Sequence, residues 1–180
     1  SCGSSGVFLL NDEAKFYGQI AGVDSQDCVI YRNIAYVSDK RQGLQIYDIS
    51  DPENPGLYNT IELNSPEFLF LENQTLYAAD NSGVHIFSLE TVQKPERTGL
   101  IKSVYVEDIY VENSILYIAE GYKGMTVYDV ENPYAPRIMS ECNTVYAADI
   151  AVYDDSALVP DISGLNVIDV VIPAWLQGNK

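Results

Sequence analysis

Gly43-Leu44-Gln45-Ile46-Tyr47-Asp48 is the stretch of sequence that decides the fold, because variants of it recur along the whole chain. Each copy is a glycine followed by alternating apolar residues, and the four glycines are 40, 41 and 40 residues apart. Periods of this length, filled with short strands, are typical of radial or stacked repeat proteins. The sequence therefore predicts an all-β repeat architecture. The glycines are Gly43, Gly83, Gly124 and Gly164.

One repeat divides into four short strands that are joined by tight turns. In the first copy, strands are expected at 28–31, 34–38, 44–49 and 57–63. The last turn contains two prolines, which fix the backbone angle φ and cannot donate to a sheet ladder. Four antiparallel strands repeated at this spacing indicate β-propeller blades. We expect blades at about 24–63, 64–104, 105–145 and 146–180.

The ends of the chain decide whether these blades form a ring. The last repeat contains only three predicted strands, and its unpaired edge would favour aggregation. The segment Lys15–Ile20 is in register with Arg137–Cys142, so it is predicted to supply the missing outer strand and to close four blades. Residues 14–180 would then be one propeller domain. The alternative is a piece of a larger propeller, since Gly6–Asn11 resembles a decayed third strand.

The third strands and the turn after the first of them resemble the LVIVD-repeat β-propeller family. The signature is found as Leu44–Asp48 and Leu165–Asp169, and Asp51–Pro55 follows the first copy. The resemblance covers nearly all of residues 24–173. It implies a bacterial or archaeal surface or secreted propeller, and most such proteins have no assigned function. The second copy departs from the signature, because Ser88 replaces its aspartate.

The charge of the chain limits the classes of partner. There are 10 Lys and Arg residues against 26 Asp and Glu, a net charge of −16. Nucleic-acid binding needs a basic stripe that displaces counterions from phosphates, and the sequence contains none. An anionic membrane surface would repel the folded domain. The charge indicates either simple solubility or a preference for cations and basic partners.

The three cysteines suggest a lipid anchor and a disulfide pair. Ser1–Gly6 resembles the start of a mature bacterial lipoprotein, which predicts lipidation at Cys2, a tether over residues 1–13 and a place in the cell envelope. The alternative is a cloning remnant. An anchor at Cys2 would leave Cys28 and Cys142 to form a disulfide, although spacing alone does not show that the two thiols meet.

Carboxylates recur at both ends of the first hairpin of every repeat. Strand direction predicts that all eight lie on one face of a propeller, where like charges across a sheet destabilise it. Either they cap backbone amides of the neighbouring turns, or those nearest the channel bind a cation such as Ca²⁺. The first-strand acids, which are the weak metal candidates, are Asp27, Glu67, Asp108 and Asp149, and the second-strand acids are Asp39, Asp80, Glu120 and Asp161.

Three tyrosines are expected near the same face: Tyr105, Tyr122 and Tyr146. They would form a recognition surface or pack between blades. The single histidine, His85, alternates with apolar residues and is expected to face solvent, so no Ser/His/Asp site is predicted.

The sequence therefore predicts a non-enzymatic extracytoplasmic propeller, without a resident cofactor, that binds a protein or peptide through an acidic, tyrosine-bearing face. One alternative is a carbohydrate-binding or hydrolytic propeller that uses the same carboxylates. The other is a structural module of a larger assembly, for example a homodimer.

Overall fold

The structure, a computed structural model, describes residues 6–10, 13, 15–21, 24–153, 156–162 and 164–169. In these ranges the regular elements are β-strands, and no helix is long and apolar enough to cross a membrane. The strands are β1 Val7–Leu10, β2 Phe16–Ile20, β3 Ser25–Tyr31, β4 Ile34–Asp39, β5 Gly43–Asp48, β6 Gly56–Ile61, β7 Phe68–Glu72, β8 Thr75–Asp80, β9 Gly83–Ser88, β10 Glu96–Lys102, β11 Asp108–Glu112, β12 Ile115–Ala119, β13 Met125–Asp129, β14 Arg137–Cys142, β15 Ala151–Tyr153, β16 Ser156–Asp161 and β17 Gly164–Asp169.

The strands form antiparallel sheets in which neighbours follow chain order. The first sheet is β3–β6, the second is β7–β10 and the third is β11–β14, each with four strands. The fourth sheet is β15–β17, and β1 pairs with β2 in what we call the N-terminal sheet. The predicted four-stranded repeat is therefore confirmed for three copies. Cys2 and residues 170–180, including Pro173 and Trp175, lie outside the described residues.

The chain divides into two compact units, Ser1–Val104 and Tyr105–Lys180. The division falls at the predicted boundary between the second and third repeats. The first unit contains the N-terminal, first and second sheets, and the second unit contains the third and fourth sheets.

The glycine that starts each third strand marks whether a fourth strand lies beside it. A Cβ added to Gly43 would overlap the carbonyl oxygen of Ile61 in β6, and the left-handed φ of +91° also excludes most side chains. At Gly164 no atom of the described residues lies within 4 Å of such a Cβ. The fourth sheet therefore lacks, among the described residues, the strand that covers this position elsewhere.

The prediction that Lys15–Ile20 closes the fourth sheet is wrong. Strand β2 pairs with β1, with Val7 opposite Ile20 and Leu9 opposite Gly18. This pairing has the same one-residue bulge as β5–β6, β9–β10 and β13–β14, so β1 and β2 are a third and a fourth strand. Pairing of β2 with β1, which immediately precedes it in the sequence, closes only a short loop. This costs less conformational entropy than pairing of β2 with the distant β17. The pairing instead supports the interpretation of Gly6–Asn11 as a third strand, for the described residues Val7–Leu10.

The hydrophobic core of the first unit lies between sheets that pack face to face. Leu44 and Ile46 of the first sheet pack with Leu76 and Phe87 of the second sheet, and all four are at most 1% exposed. On the other face of the first sheet, Val7 and Ile20 of the N-terminal sheet pack with Ala35, Val37 and Tyr47. The first sheet is thus covered on both faces.

The second unit repeats this packing between the third and fourth sheets. Met125 and Val127 of β13 pack with Ala147, Ala157 and Val159. In both units the same positions of the third strand therefore face the next sheet along the chain.

Candidate functional site

Asp39, at the end of β4, caps the turn that leads to Gly43. Its Oδ1 accepts hydrogen bonds from the backbone N–H groups of Arg41 and Gln42 at 2.8 and 2.7 Å. Its Oδ2 accepts one from the backbone N–H of Asp24 at 2.6 Å, and the residue is fully buried. The capping interpretation is confirmed for this acid, because both of its oxygens are used by backbone donors.

Asp80 plays the same part at the end of β8. It accepts hydrogen bonds from the backbone N–H groups of Ser82 at 2.7 Å and Asn64 at 2.8 Å, and from the Ser82 hydroxyl at 2.5 Å. Burial opposes ionisation of Asp80, but these bonds and one from His85 together hold its pKa below the usual value.

His85 does not face solvent, so that expectation is wrong. Its side chain is 4% exposed, and its Nε2 lies 3.0 Å from Asp80 Oδ2 and 3.1 Å from Ser82 Oγ. Both faces of the second sheet's inner strands are buried, so an alternating polar residue there faces protein rather than water. Burial, the largest effect, lowers the pKa of His85 although Asp80 opposes it.

The grouping of Asp80, Ser82 and His85 does not form a catalytic triad. In a triad the serine and the aspartate use different ring nitrogens, whereas here both lie at Nε2. The Ser82 hydroxyl already donates to Asp80, and His85 Nδ1 is buried without a hydrogen-bond partner among the described residues. The arrangement is a buried turn anchor.

Glu120 and Asp161 bond to side chains at the equivalent places of the second unit. Glu120 is 3% exposed and accepts hydrogen bonds from Lys123 Nζ at 2.6 Å and from the Thr126 hydroxyl. Asp161 accepts one from Asn166 Nδ2 at 2.8 Å. These two acids therefore hold the polar residue of the following third strand.

The first-strand acids of the first unit differ in register. Asp27 pairs with Ser38 across the first hairpin, whereas Phe68 has the equivalent place opposite Ala79. Glu67 lies one residue earlier and forms an ion pair with Lys40 at 2.9 Å. Asp27 Oδ2 accepts a hydrogen bond of 2.9 Å from the backbone N–H of Leu69 in the second sheet. The acid thus joins two neighbouring sheets.

Asp108 makes the corresponding bond in the second unit and also meets another acid. Its Oδ2 accepts a hydrogen bond of 3.0 Å from the backbone N–H of Ile150, to which Asp149 Oδ1 is also bonded at 2.8 Å. Burial and the hydrogen bond with the Asp149 carboxyl raise the pKa of Asp108 to about 7. A protonated Asp108 carboxyl can donate a hydrogen bond to Asp149.

Tyr122 and Tyr146 meet next to this carboxyl pair in the chain. A two-way backbone bridge joins Gly121 to Ala147, and it places the two rings edge to face with centroids 4.7 Å apart. The Tyr146 hydroxyl donates a hydrogen bond of 2.5 Å to Glu107 Oε1, which raises the pKa of Tyr146. We call Glu107, Asp108, Tyr122, Tyr146 and Asp149 the acid–tyrosine cluster.

The acid–tyrosine cluster combines exposed rings with carboxylates. Tyr122 is 81% exposed, and Tyr105, which precedes the cluster in sequence, is 70% exposed. Asp149 is exposed as well, while the nearby cation Lys123 is already bonded to Glu120. Glu107 is the member that sequence reasoning missed, and its place directly before Asp108, like Glu67 before Phe68, was the available signal.

Metal and cysteine predictions have different outcomes. Among the described residues, no three His, Cys, Asp or Glu side chains lie close enough together to hold a metal ion. A Ca²⁺ ion at the first-strand acids stays a prediction. The Cys28–Cys142 disulfide is wrong, because both are free thiols. Cys28 packs against the core of the first unit and Cys142 against that of the second. Lipidation at Cys2 stays a prediction.

Comparison with protein families identifies the repeat. Residues 22–62 and 104–144 match the LVIVD repeat. The chain contains LVIVD repeats. These repeats form β-propeller structures, so the resemblance seen in the sequence is confirmed. No curated protein matches the chain.

Solved structures show the same fold at low sequence identity. The computationally designed Ika4 protein is 10% identical with a TM-score of 0.65 over 81% of this chain and 91% of that one. The designed Ika8 protein is 10% identical with a TM-score of 0.73 over 93% and 53%. BamB from Moraxella catarrhalis is 12% identical with a TM-score of 0.69 over 91% and 51%. The chain spans about half the length of the last two.

The two matched LVIVD repeats occupy equivalent places in the two units. The first LVIVD repeat carries Asp27 and precedes the second sheet, and the other carries Asp108 and precedes the fourth sheet. Most of the acid–tyrosine cluster thus belongs to the second matched LVIVD repeat, and Tyr146 and Asp149 come from the residues just after it.

Proposed function

We propose that the protein is a non-enzymatic propeller that binds a basic protein or peptide through the acid–tyrosine cluster and Tyr105. The single observation that carries the proposal is the exposure of Tyr122, at 81%, beside Tyr146 and Glu107. A large aromatic ring left in water loses the free energy of burial, whereas a partner that covers it recovers this energy at little entropic cost. Propellers of the same fold occur in complexes, for example in a nidogen–laminin structure.

The charge around the rings selects the kind of partner. Asp149 is exposed, the pKa of Asp108 beside it is raised, and Lys123 forms an ion pair with Glu120. An arginine side chain satisfies such a surface well, because its guanidinium stacks on a tyrosine ring and pairs with a carboxylate. The net charge of −16 also attracts a basic partner over a longer range.

The experiment is selection of random twelve-residue peptides displayed on phage against the whole chain. Selected peptides are expected to be rich in Arg and Lys. In fluorescence anisotropy, Tyr122→Ala should weaken their binding by about tenfold or more, as loss of an aromatic hot spot does. Tyr58→Ala is the matched control, because Tyr58 is 60% exposed on the first sheet. Selected peptides without basic residues, or equal binding by both variants, would contradict the proposal.

A carbohydrate-binding or hydrolytic propeller is the second candidate, and the pKa of Asp108 favours it. Two carboxyl groups in direct hydrogen bond are nevertheless closer than the separation of about 5 Å or more at which carboxylates flank a glycosidic bond. Hydrolysis of a fluorogenic glycoside that Asp108→Asn abolishes would favour this candidate over peptide binding.

A further inference from the structure

Every sheet has two faces with different roles along the chain. The outgoing face packs on the next sheet, as Leu44 and Ile46 of the first sheet do. The incoming face receives the preceding sheet, as Val37 and Tyr47 do when they contact the N-terminal sheet. Three contacts inside the chain join an outgoing face to an incoming face: N-terminal to first, first to second, and third to fourth.

The fourth sheet has an uncovered outgoing face. Leu165 and Val167 of β17 have the places that Leu44 and Ile46 have in β5. Both are 62% exposed, whereas Leu44 and Ile46 are 0% exposed. Leu158 pairs with Val167 and is partly exposed on the same side. This face is apolar like its buried counterparts, but no described sheet of the second unit lies against it.

The N-terminal sheet has an uncovered incoming face. By register, Phe8 and Leu10 of β1 have the places of Gln45 and Tyr47 in β5. Phe8 is 42% exposed and Leu10 is 56% exposed, whereas Gln45 and Tyr47 are at most 8% exposed. Phe16 of β2 is 61% exposed and meets Phe8 edge to face, with ring centroids 6.2 Å apart. Two phenylalanines and a leucine thus form one apolar patch.

We propose that the uncovered outgoing face of one copy packs on the uncovered incoming face of a second copy, head to tail. The reason is continuity with the sheet contacts already present: each face is formed by the strand positions that, in other sheets of this chain, are buried against the opposite kind of face. Contiguous exposed apolar patches of this kind mark interaction sites in soluble proteins. A heterologous contact of this type uses two different patches on each copy.

The second copy is the occupant that the chain itself specifies. The incoming face of the first sheet presents Tyr47, and the N-terminal sheet presents Leu10 at that position and the apolar Phe8 at the position of Gln45. The same contact buries no charged residue among the five that define it: Phe8, Leu10, Phe16, Leu165 and Val167. It uses none of the acid–tyrosine cluster, so it stands apart from peptide binding.

The test is the oligomeric state of the whole chain, measured by sedimentation velocity at rising protein concentration. Association above the monomer mass is expected. The outgoing-face variant Leu165→Asp/Val167→Asp and the incoming-face variant Phe8→Asp/Leu10→Asp should each weaken association by about tenfold or more, because a buried charge without a partner is costly. Ile138→Asp is the control, since Ile138 is 58% exposed on the third sheet outside these faces.

Mixing the two variants distinguishes a head-to-tail contact from a symmetric contact and from a loss of folding. Each variant keeps one intact face, so an equimolar mixture should recover a heterodimer that neither variant forms alone. A variant that failed to fold would give no such recovery, and circular dichroism of each variant checks its strands directly. A wild-type chain that stays monomeric at high concentration would overturn the proposal. Association that survives either variant, or folded variants that do not complement, would overturn it too.

Discussion

The junction between the first and second sheets and the junction between the third and fourth sheets use the same aspartate in different surroundings. Asp27 and Asp108 each accept a hydrogen bond from a backbone N–H of the next sheet, at 2.9 and 3.0 Å. In the sheet that donates this hydrogen bond, the residue just before the donor differs between the junctions. It is Phe68 at the first junction and Asp149 at the second. The first junction therefore has an aromatic ring beside the hydrogen bond, and the second junction has another carboxyl group there.

This difference shows how a repeat protein can change the chemistry of its surface without changing its fold. The backbone bond that joins two sheets is kept in both units, because a buried N–H without a partner costs about 1–3 kcal/mol. The neighbouring positions are free to vary once that bond is made. In the second unit they hold the exposed Asp149 and the pair Tyr122–Tyr146.

Packing provides the largest expected difference between the junctions. Leu76 is fully buried in the core of the first unit, while the equivalent place in the second unit holds the smaller Ala157. Leu76→Ala should lower the free energy of unfolding by about 2–5 kcal/mol, because it leaves a cavity in a close-packed core. Urea unfolding followed by circular dichroism measures the change.

Leu57→Ala is the control for the packing experiment, since Leu57 is 55% exposed on the first sheet. Its expected effect is within about 0.5 kcal/mol. If Leu76→Ala and Leu57→Ala lower the free energy of unfolding equally, burial of Leu76 does not stabilise the junction between the first and second sheets.

The two aspartates should respond to loss of charge by different amounts. Asp27→Asn leaves one oxygen where Cys28 N–H and Leu69 N–H now use two, so unfolding should become easier by about 1–3 kcal/mol. Asp108→Asn also removes an oxygen that accepts from the backbone of Ile109 or Ile150, but it relieves the unfavourable charge contact with Asp149, so above pH 7 it should cost less than Asp27→Asn. Unfolding by urea at pH 8 compares the two variants directly.

The pH dependence of stability gives the sign of the Asp108 effect. Its pKa in the native state is raised from 3.8 to about 7, so the stabilising contribution is complete below 3.8 and is lost as pH rises through about 7. Asp108→Asn should remove this part of the profile, whereas Asp27→Asn should keep it. A wild-type stability that rises steadily from pH 5 to pH 8, unchanged in Asp108→Asn, would contradict the raised pKa of Asp108.

The strands could be predicted from the sequence because each repeat supplies the same local signals. Alternation of apolar residues and glycines at fixed spacing placed Ile34–Asp39 and Gly43–Asp48 almost to the residue. The partner of Phe16–Ile20 could not be predicted, since Val7–Leu10 and Gly164–Asp169 are both third strands and a pattern cannot choose between them. Distance along the chain favours Val7–Leu10.

The acids could be predicted as a set but not separated by function. Repetition identified Asp39 and Asp80 as turn residues, and their backbone hydrogen bonds confirm it. A count of residues placed Glu67 with Asp27, whereas the register gives that place to Phe68. The raised pKa of Asp108 depends on its contact with Asp149 of the neighbouring repeat, which a one-dimensional pattern does not contain.

The smallest expected effect on stability concerns the polar position of the third strand, which differs between the first two repeats. Gln45 and His85 occupy equivalent places, and both are buried. Burial lowers the pKa of His85 below its usual 6.5, and Arg97 acts in the same direction. The native state therefore stays neutral where the unfolded chain binds a proton, so stability should fall as pH drops below about 6.5.

His85→Gln should remove this decline between about pH 6.5 and pH 5, because glutamine does not titrate and can still donate a hydrogen bond to Asp80. Thermal unfolding at closely spaced pH values measures the slope. The window must end above pH 4, since the pKa of Asp80 is held below 3.8 and protonation of this acid would add its own loss of stability at lower pH. A slope that is the same in the wild type and in His85→Gln would mean that the histidine is protonated in the native state, paired with Asp80 as an ion pair rather than as a neutral donor.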